Sequence, residues 1–264
     1  MHQFDQDIAV ELADADCYTG SIAANWSISG VPNGGYLMAF MTNALLQSSR
    51  MKTTPIVTAN FLNRCHPGDA TVKVARMSLS RQFDRLEARL EQNGEERVRA
   101  LGTFTDEKTE CLRDRYQTKA PDIKNPEECI AVPEMPDYTL YGRMDIRLDP
   151  ACAGWFEGRL SDRSEIKGWI RFKDDRALDV PAILLAADAF PPAVLTSEGM
   201  VAWVPTLECS VNIRKLPATG WLKCIFRTRF ITCGLLEEDG EVWDESGDLV
   251  AISRQIAQYR PHHA

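Results

Sequence analysis

The segment Val31–Leu46 places a glycine-rich turn directly before a run of residues that is apolar on almost every side. A helix with this composition has no polar face for water, so the rest of the fold must enclose it. Gly34 and Gly35 lack a Cβ atom, which permits positive φ and lets another segment approach closely. The first N–H groups of such a helix have no partner within it and attract negative charge. The alternative interpretation is a turn with a structural role only, which connects the preceding strand to a core helix.

Charge and hydropathy narrow the classes of function. The chain has 264 residues, of which 44% are hydrophobic, enough to bury a substantial core. A formal net charge of -8 argues against unspecific nucleic-acid binding, which needs a basic surface. Asp188 and the Pro191-Pro192 pair interrupt the next apolar run, from Val180 to Leu195, so we expect no membrane span.

Cysteine and histidine usage excludes further chemistry. The cysteines are scattered singly without a Cys-x-x-Cys pair or a leading signal peptide, so we expect reduced thiols in a cytoplasmic protein. They are Cys17, Cys65, Cys111, Cys129, Cys152, Cys209, Cys224 and Cys233. Apart from the termini, His66 is the only histidine, which argues against metal binding and against nucleophiles that need an imidazole. Because nucleotide-binding glycine motifs are also missing, we expect no cofactor.

Hydrophobic periodicity divides the chain into two similar halves. Each half reads as a strand, an apolar helix and four strands, and Asn93-Gly94 predicts a hairpin turn. Residues 106 to 150 are polar and rich in proline, so we predict an N-terminal domain at 1–110, a linker at 111–150 and a C-terminal domain at 151–264. The predicted helices cover 35–49 and 181–189; the predicted strands cover 18–26, 56–64, 70–80, 86–92, 98–105, 166–172, 209–214, 221–232, 240–244 and 249–259.

The repeated order predicts an α+β fold made of two tandem hot dog units, each a curved antiparallel sheet wrapped around a central helix. An overlay of the halves places Phe40 on Asp188. The first half has the glycines at its helix start but no acid, whereas the second has Asp188 but Val180-Pro181 in place of the glycines. We therefore expect a single complete site between the halves.

Four short motifs resemble the double hot dog acyl-CoA thioesterases of the thioesterase-like superfamily, near the acyl-CoA thioesterase II group. The resemblance extends over nearly the whole chain. It rests on Trp26 followed by Pro32-Asn33-Gly34-Gly35-Tyr36, on Leu185-Ala186-Ala187-Asp188-Ala189-Phe190-Pro191-Pro192, on Thr206-Leu207-Glu208 and on Ser253-Arg254-Gln255. One departure is Glu208-Cys209-Ser210, where the thioesterase II group typically has Asp-His-Ser.

The resemblance implies that Asp188, Thr206 and Gln255 hold the attacking water. A carboxylate among apolar residues is costly unless it is paired, so a functional Asp188 is favoured over a solvent-facing residue at a helix end. Thr206 fits any strand start, and Gln255 could simply be an exposed strand residue.

We expect the turn before the first helix to bind the substrate and its developing oxyanion. The residues concerned are Asn33, Gly34, Gly35 and Tyr36, with the N–H of Gly35 or Tyr36 as the oxyanion donor.

The expected function is hydrolysis of a fatty or related acyl-CoA in lipid metabolism. The alternatives are a noncatalytic acyl-CoA or acyl-lipid binding protein and a hydratase-like hot dog, which the missing active-site histidine disfavours. Arg64, Arg81 and Arg214 could contact CoA phosphates, although exposed arginines are usually solvated surface. Because the two halves of one chain correspond to the two subunits of a hot dog dimer, a monomer could be functional. The sequence also permits dimers or larger homo-oligomers.

Overall fold

The computed structural model of the protein describes residues 1–106, 113 and 115–262. Cys111, the predicted domain boundary at residues 110 and 111, and the last two residues of the predicted C-terminal domain lie outside the described residues.

The described chain contains five α-helices and eighteen strands. The α-helices are α1 (Gln3–Asp7), α2 (Gly34–Ser48), α3 (Thr139–Arg143), α4 (Val180–Ala186) and α5 (Leu195–Glu198). The strands of the first half are β1 (Glu11–Asp14), β2 (Cys17–Ile22), β3 (Ser27–Ile28), β4 (Val31–Pro32), β5 (Thr53–Phe61), β6 (Gly68–Leu79), β7 (Asp84–Gln92) and β8 (Glu95–Thr105). Those of the second half are β9 (Ile130–Ala131), β10 (Met144–Leu148), β11 (Ser164–Phe172), β12 (Ala202–Trp203), β13 (Thr206–Ile213), β14 (Leu222–Thr228), β15 (Ile231–Thr232), β16 (Leu235–Asp244), β17 (Leu249–Gln258) and β18 (Arg260–Pro261).

One antiparallel sheet runs through both halves. Its order is β1-β2-β6-β7-β8-β5 in the first half and β13-β17-β16-β14-β11-β10-β9 in the second, and β5 pairs with β13 where the halves meet. Helix α2 packs on strands of the first half and α4 on β13. The architecture is α+β with two tandem hot dog units, as the sequence predicts.

Helix α2 is enclosed almost completely. Residues 35–42 are all buried, in agreement with their lack of a polar face. A row of small residues on the inner face of the sheet makes room for the helix: Ala59, Ala100 and Ala88 lie opposite one another on β5, β8 and β7, and all three are fully buried. Larger side chains in this row would hold the helix away from the sheet.

The start of α2 packs directly against α4. A Cβ atom added to Gly35 would lie 2.6 Å from the carbonyl oxygen of Leu184 and 3.0 Å from the Cα atom of Leu185. Contacts this short leave no space for a side chain. The second glycine of the turn therefore sets how closely the two central helices approach.

The strongest local predictions are confirmed. Helix α2 and most of the long strands agree with the predicted segments to within four residues at their ends, but β16 starts five residues before the predicted strand. Asn93 and Gly94 have φ values of 54° and 77°, so both adopt the left-handed conformation that a two-residue hairpin turn requires.

The segment predicted as a linker contributes to the sheet. Strand β10 pairs with β11 from Met144 opposite Phe172 to Leu148 opposite Gly168, and β9 pairs with β10. Met144, Ile146 and Leu148 are buried, so this alternating pattern marks a half-buried strand that the surrounding prolines obscured. The prediction that the whole of 111–150 is a linker without regular structure is therefore wrong. The domain boundaries remain a prediction.

Two further expectations concern the described part of the chain only. No helix there is long and apolar enough to cross a membrane. The cysteines described there are free thiols: Cys17, Cys65, Cys129, Cys152, Cys209, Cys224 and Cys233.

Substitution of Gly35 should destabilise the fold. We expect Gly35→Ala to lower the free energy of unfolding by about 2 kcal/mol, because the new methyl group overlaps the backbone of α4. Gly142→Ala is the matched control: Gly142 lies in α3 with nothing within 4 Å of an added Cβ atom. That variant should be neutral or slightly stabilising. Urea denaturation measures both, and equal stability of the two variants would contradict the close contact.

Candidate active site

Asp188 lies just beyond the second central helix. The sequence predicts a helix through Ala189, but α4 ends at Ala186, and Asp188 occupies the turn that follows. The N–H of Asp188 donates to the carbonyl of Leu185 at 3.1 Å, a tightening typical of a helix end. Pro191 disfavours helical backbone at the preceding residue and has no N–H of its own, so the helix does not continue past this turn.

The carboxylate of Asp188 is held by the turn before α2. Its Oδ2 atom accepts hydrogen bonds from the N–H of Gly35 at 2.8 Å and from Nδ2 of Asn33 at 2.9 Å. Nδ2 of Asn33 also donates to the main-chain carbonyl of Asp188 at 2.8 Å. The acid of the second half therefore meets the glycine turn of the first half, where the overlay of the two halves predicts the site.

Asn33 also caps the helix that provides these amides. Its Oδ1 atom accepts from the N–H of Tyr36 at 3.0 Å, which satisfies one of the free donors of the first turn. Both N–H groups considered for the oxyanion, those of Gly35 and Tyr36, thus already have acceptors within the protein. The turn binds the Asp188 carboxylate in this structure.

The Gly34 position brings the turn close to Asp188 from another side. A Cβ atom at Gly34 would lie 2.9 Å from Oδ2 of Asp188 and 2.9 Å from the ring of Phe61. The two glycines therefore have different roles: Gly35 allows contact with the backbone of α4, and Gly34 leaves room for the carboxylate.

Asp188 is a weaker acid than an ordinary aspartate. Part of the residue stays accessible to solvent, but protein surrounds the carboxylate, and this desolvation raises the pKa of Asp188 to about 6. Hydrogen bonds from Gly35, Asn33 and Gly34 oppose this increase because they stabilise the charged form. The carboxylate is therefore ionised at neutral pH, yet it remains a usable base.

Thr206 and Gln255 contact each other on neighbouring strands. Thr206 starts β13, and its Oγ1 donates to Oε1 of Gln255 at 2.8 Å. Nε2 of Gln255 donates to Oε1 of Glu238 on β16 at 2.8 Å. Gln255 therefore faces the interior and is not the exposed strand residue of the alternative interpretation.

Glu238 is the functional candidate that the sequence interpretation missed. It is 5% exposed, and its Oε2 atom accepts from the N–H of Ala193 at 2.6 Å. The alternation Leu236, Glu238, Gly240, Val242 places it on the inner face of the strand, and this pattern could have revealed it. The predicted strand begins at Gly240, so the sequence prediction leaves Glu238 outside it.

Cys209 and Tyr141 also lie near the acid. Burial raises the pKa of both side chains, and the negative charge of Asp188 adds to that rise in each case. Cys209 lies directly opposite Gln255 in the sheet. Tyr141 lies within the segment interpreted as a linker, so that segment contributes to the surroundings of the site.

The two prominent hollows of the described surface lie elsewhere. Their volumes are about 590 Å³ and 510 Å³, and neither is lined by Asp188, Thr206 or Gln255. The second lies on the outer face of the sheet, where Arg227 and Arg254 take part in ion pairs.

The three arginines considered for CoA phosphates are exposed but not clustered. Arg64 follows the end of β5, the end that carries Phe61 and faces the turn at Gly34. Arg214 follows the far end of β13, and Arg81 lies in the turn between β6 and β7. Of the three, Arg64 is the one at the same end of the sheet as Asp188.

The fold is a double hot dog in which the acid of the second half meets the amide-rich turn of the first half. Family models for the acyl-CoA thioesterase N-terminal and C-terminal domains match residues 22–105 and 126–259. The chain belongs to the acyl-CoA thioesterase family.

Known structures share the fold along the whole chain. A candidate thioesterase II from Thermobifida fusca superposes with a TM-score of 0.90 at 23% identity, with 98% of each chain covered. A hot dog protein of unknown function from Alicyclobacillus acidocaldarius gives a TM-score of 0.88 at 20% identity over 100% of both chains. An uncharacterised Mycobacterium tuberculosis protein is 24% identical over 91% of this chain and 90% of its own length.

The raised pKa of Asp188 predicts how stability depends on pH. The folded pKa of about 6 exceeds the unfolded value, so folding favours the proton, and this contribution to stability is lost as pH rises through 6. Asp188→Asn removes this titration. The stability of the variant relative to wild type should therefore increase between about pH 4 and pH 7.

Denaturation at a series of pH values checks this prediction. Asp162→Asn, the same change at an exposed aspartate, serves as the control. A constant difference from wild type for Asp188→Asn would show that its pKa is not raised.

Proposed function

We propose that the protein hydrolyses an acyl-CoA thioester, with Asp188 as the general base on a water that Thr206 and Gln255 orient. The observation that carries this proposal is the position of the Asp188 carboxylate, which the second half supplies and the first half holds through Asn33 and Gly35. Family membership supports thioesterase activity in general. The roles of Asp188, Thr206 and Gln255 come from the family resemblance, and the contacts of Asp188 with the glycine turn support them.

The protonation state of Asp188 suits a general base. A base works best when its pKa lies near the working pH, because it is then both deprotonated and basic enough to accept a proton. Burial brings the pKa of Asp188 to about 6, closer to neutrality than that of an ordinary aspartate.

Thr206 and Gln255 together offer a site for one water. Thr206 uses its hydrogen on Oε1 of Gln255, which leaves lone pairs on Oγ1 to accept from water. Gln255 uses one Nε2 hydrogen on Glu238, which leaves the other to donate to the water oxygen. A water bound this way gives one hydrogen to Thr206 and directs the other to Asp188.

The reaction follows from these contacts. Asp188 takes a proton from the water as its oxygen attacks the carbonyl carbon of the thioester, and a tetrahedral oxyanion forms. The carbon–sulfur bond then breaks, the proton returns from Asp188 to the sulfur, and free acid and CoA thiol leave.

Stabilisation of the oxyanion requires an exchange of partners at the first helix. The N–H of Gly35 donates to the Asp188 carboxylate at rest. When Asp188 accepts the proton it loses its charge, and the developing oxyanion becomes the stronger acceptor for this N–H. The helix start favours negative charge in either position. We propose that Asn33, Gly34 and Tyr36 shape this turn and the carbonyl position.

We propose that the substrate is an acyl-CoA. We also propose that the protein acts in the cytoplasm, in lipid metabolism. Arg64 is our candidate for the CoA phosphates, since it lies at the same end of the sheet as Phe61 and the glycine turn. Phe61 covers Gly34 and has to turn aside for the thioester to reach Asp188.

Substitution of the acid should stop turnover without unfolding the protein. We expect Asp188→Asn to lower kcat by about 100-fold or more, because the amide cannot accept the proton of the water. Thr206→Val and Gln255→Leu should each lower kcat by about tenfold through loss of water orientation. Thiol release across short, long and aromatic acyl-CoAs measures these rates.

Asp162→Asn is the matched control and should retain the wild-type rate, since Asp162 is exposed and has no described contact with the site. Wild-type turnover in Asp188→Asn would refute the assignment of the base. Saturable binding of acyl-CoA by the wild-type protein without release of CoA would instead indicate the noncatalytic binding protein.

A further inference from the structure

A second buried carboxylate lies behind the water-binding pair. Glu238 faces the interior from β16, directly opposite Gln255 on β17. Its two oxygens have separate donors: Oε1 accepts from Nε2 of Gln255 at 2.8 Å, and Oε2 accepts from the N–H of Ala193 at 2.6 Å. Main chain and side chain therefore fix this carboxylate on both sides.

We propose that Glu238 is a positioning residue that sets the orientation of the Gln255 amide, and through it the direction of the Thr206 hydroxyl. This inference rests on the proposed function, because it concerns how the water is held. It adds a residue that does not itself touch the water or the thioester.

The two ends of the Gln255 amide have opposite hydrogen-bonding character. An ionised carboxylate can only accept, so Glu238 requires the NH2 group of Gln255 on its side. The amide oxygen then faces Thr206, whose hydroxyl must donate to it. The lone pairs of Thr206 consequently remain available to accept a hydrogen from water.

If the Gln255 amide were reversed, the water site would lose the hydrogen-bond acceptor that the water needs. With the NH2 group toward Thr206, the hydroxyl would become an acceptor and its hydrogen would point away from Gln255. The water would then meet a donor where it needs an acceptor. Only a partner that cannot donate excludes this arrangement, and an ionised Glu238 is such a partner.

Stability alone does not account for a glutamate at this position. A carboxylate buried to 95% loses its hydration, and an apolar residue of similar size would avoid that cost. The neighbours on the inner face of β16, Leu236 and Val242, are apolar and buried. Among the described residues, Glu238 forms no ion pair that would compensate for its burial.

The surroundings make the ionisation of Glu238 relevant near neutral pH. Burial raises the pKa of Glu238 to about 7, against the opposing bonds from Ala193 and Gln255. The charges of Asp188 and Glu237 add to the increase. Cys209 also faces this group from β13, and burial keeps it protonated. A protonated Glu238 can donate, so it no longer fixes the amide.

The test compares kcat, KM and the pH profile of wild type, Glu238→Gln and Glu241→Gln. Glutamine has the shape of glutamate but can present its own NH2 group to Gln255, so we expect kcat at about pH 8 to fall about tenfold while KM changes less than about twofold. The wild-type profile should show two ionisations, near 6 and near 7, and Glu238→Gln should lose the second.

Glu241→Gln is the matched control. Glu241 is three residues further along β16, faces the outer side of the sheet and bonds to Arg227 there. It should retain wild-type kcat and both ionisations. A wild-type kcat and profile in Glu238→Gln would overturn the inference, as would a lower kcat with both ionisations retained.

A second measurement works on the unaltered protein. The side-chain amide resonance of Gln255, assigned by its loss in Gln255→Leu, should shift as pH crosses about 7, because its hydrogen-bond partner changes charge. A resonance that does not respond would overturn the inference even if Glu238→Gln failed to fold. A wild-type protein that hydrolyses no acyl-CoA would refute the proposed function itself, and a difference confined to Glu238→Gln would concern the inference alone.

Discussion

The hydrogen bond from the Gly35 N–H to the Asp188 carboxylate depends on a contact that only glycine permits. The backbone of α4 lies so close to Gly35 that a Cβ atom would overlap Leu184. This contact fixes the distance between the two central helices and also the position of the acid. The same contact therefore packs the core and positions the site. The start of α2 also gains a charged partner, the Asp188 carboxylate from the other half of the chain.

The two halves differ at the positions that form this arrangement. At the position that matches Asp188, the first half has Phe40, which is fully buried and packs against Gly20. The start of α4 has its own cap: Asp179 accepts from the N–H of Ala182, and Arg176 pairs with Asp179. The position that matches Asp188 is thus occupied by a core residue, Phe40. The start of α4 is capped by Asp179 from its own half of the chain.

Local sequence patterns predict most of the fold but only part of the site. The apolar α2 and the Asn93-Gly94 turn are encoded by neighbouring residues, so they could be predicted. The choice of Gln255 and Thr206 as candidates relied on a family resemblance, because the sequence of a strand does not specify which residues its side chains contact. Glu238 lies before the predicted start of its strand, and Tyr141 lies in a short helix of the segment interpreted as a linker, so neither was assigned to the site.

The two buried carboxylates, Asp188 and Glu238, show where the fold accepts a loss of stability. Desolvation raises the pKa of both, and among the described residues neither forms an ion pair with lysine or arginine. Instead, backbone N–H groups and a side-chain amide hold each of them. Amides orient a carboxylate without neutralising it, so the acid keeps its basicity, which a cation would remove. For Asp188, the proposed general base, neutral donors are thus the expected arrangement.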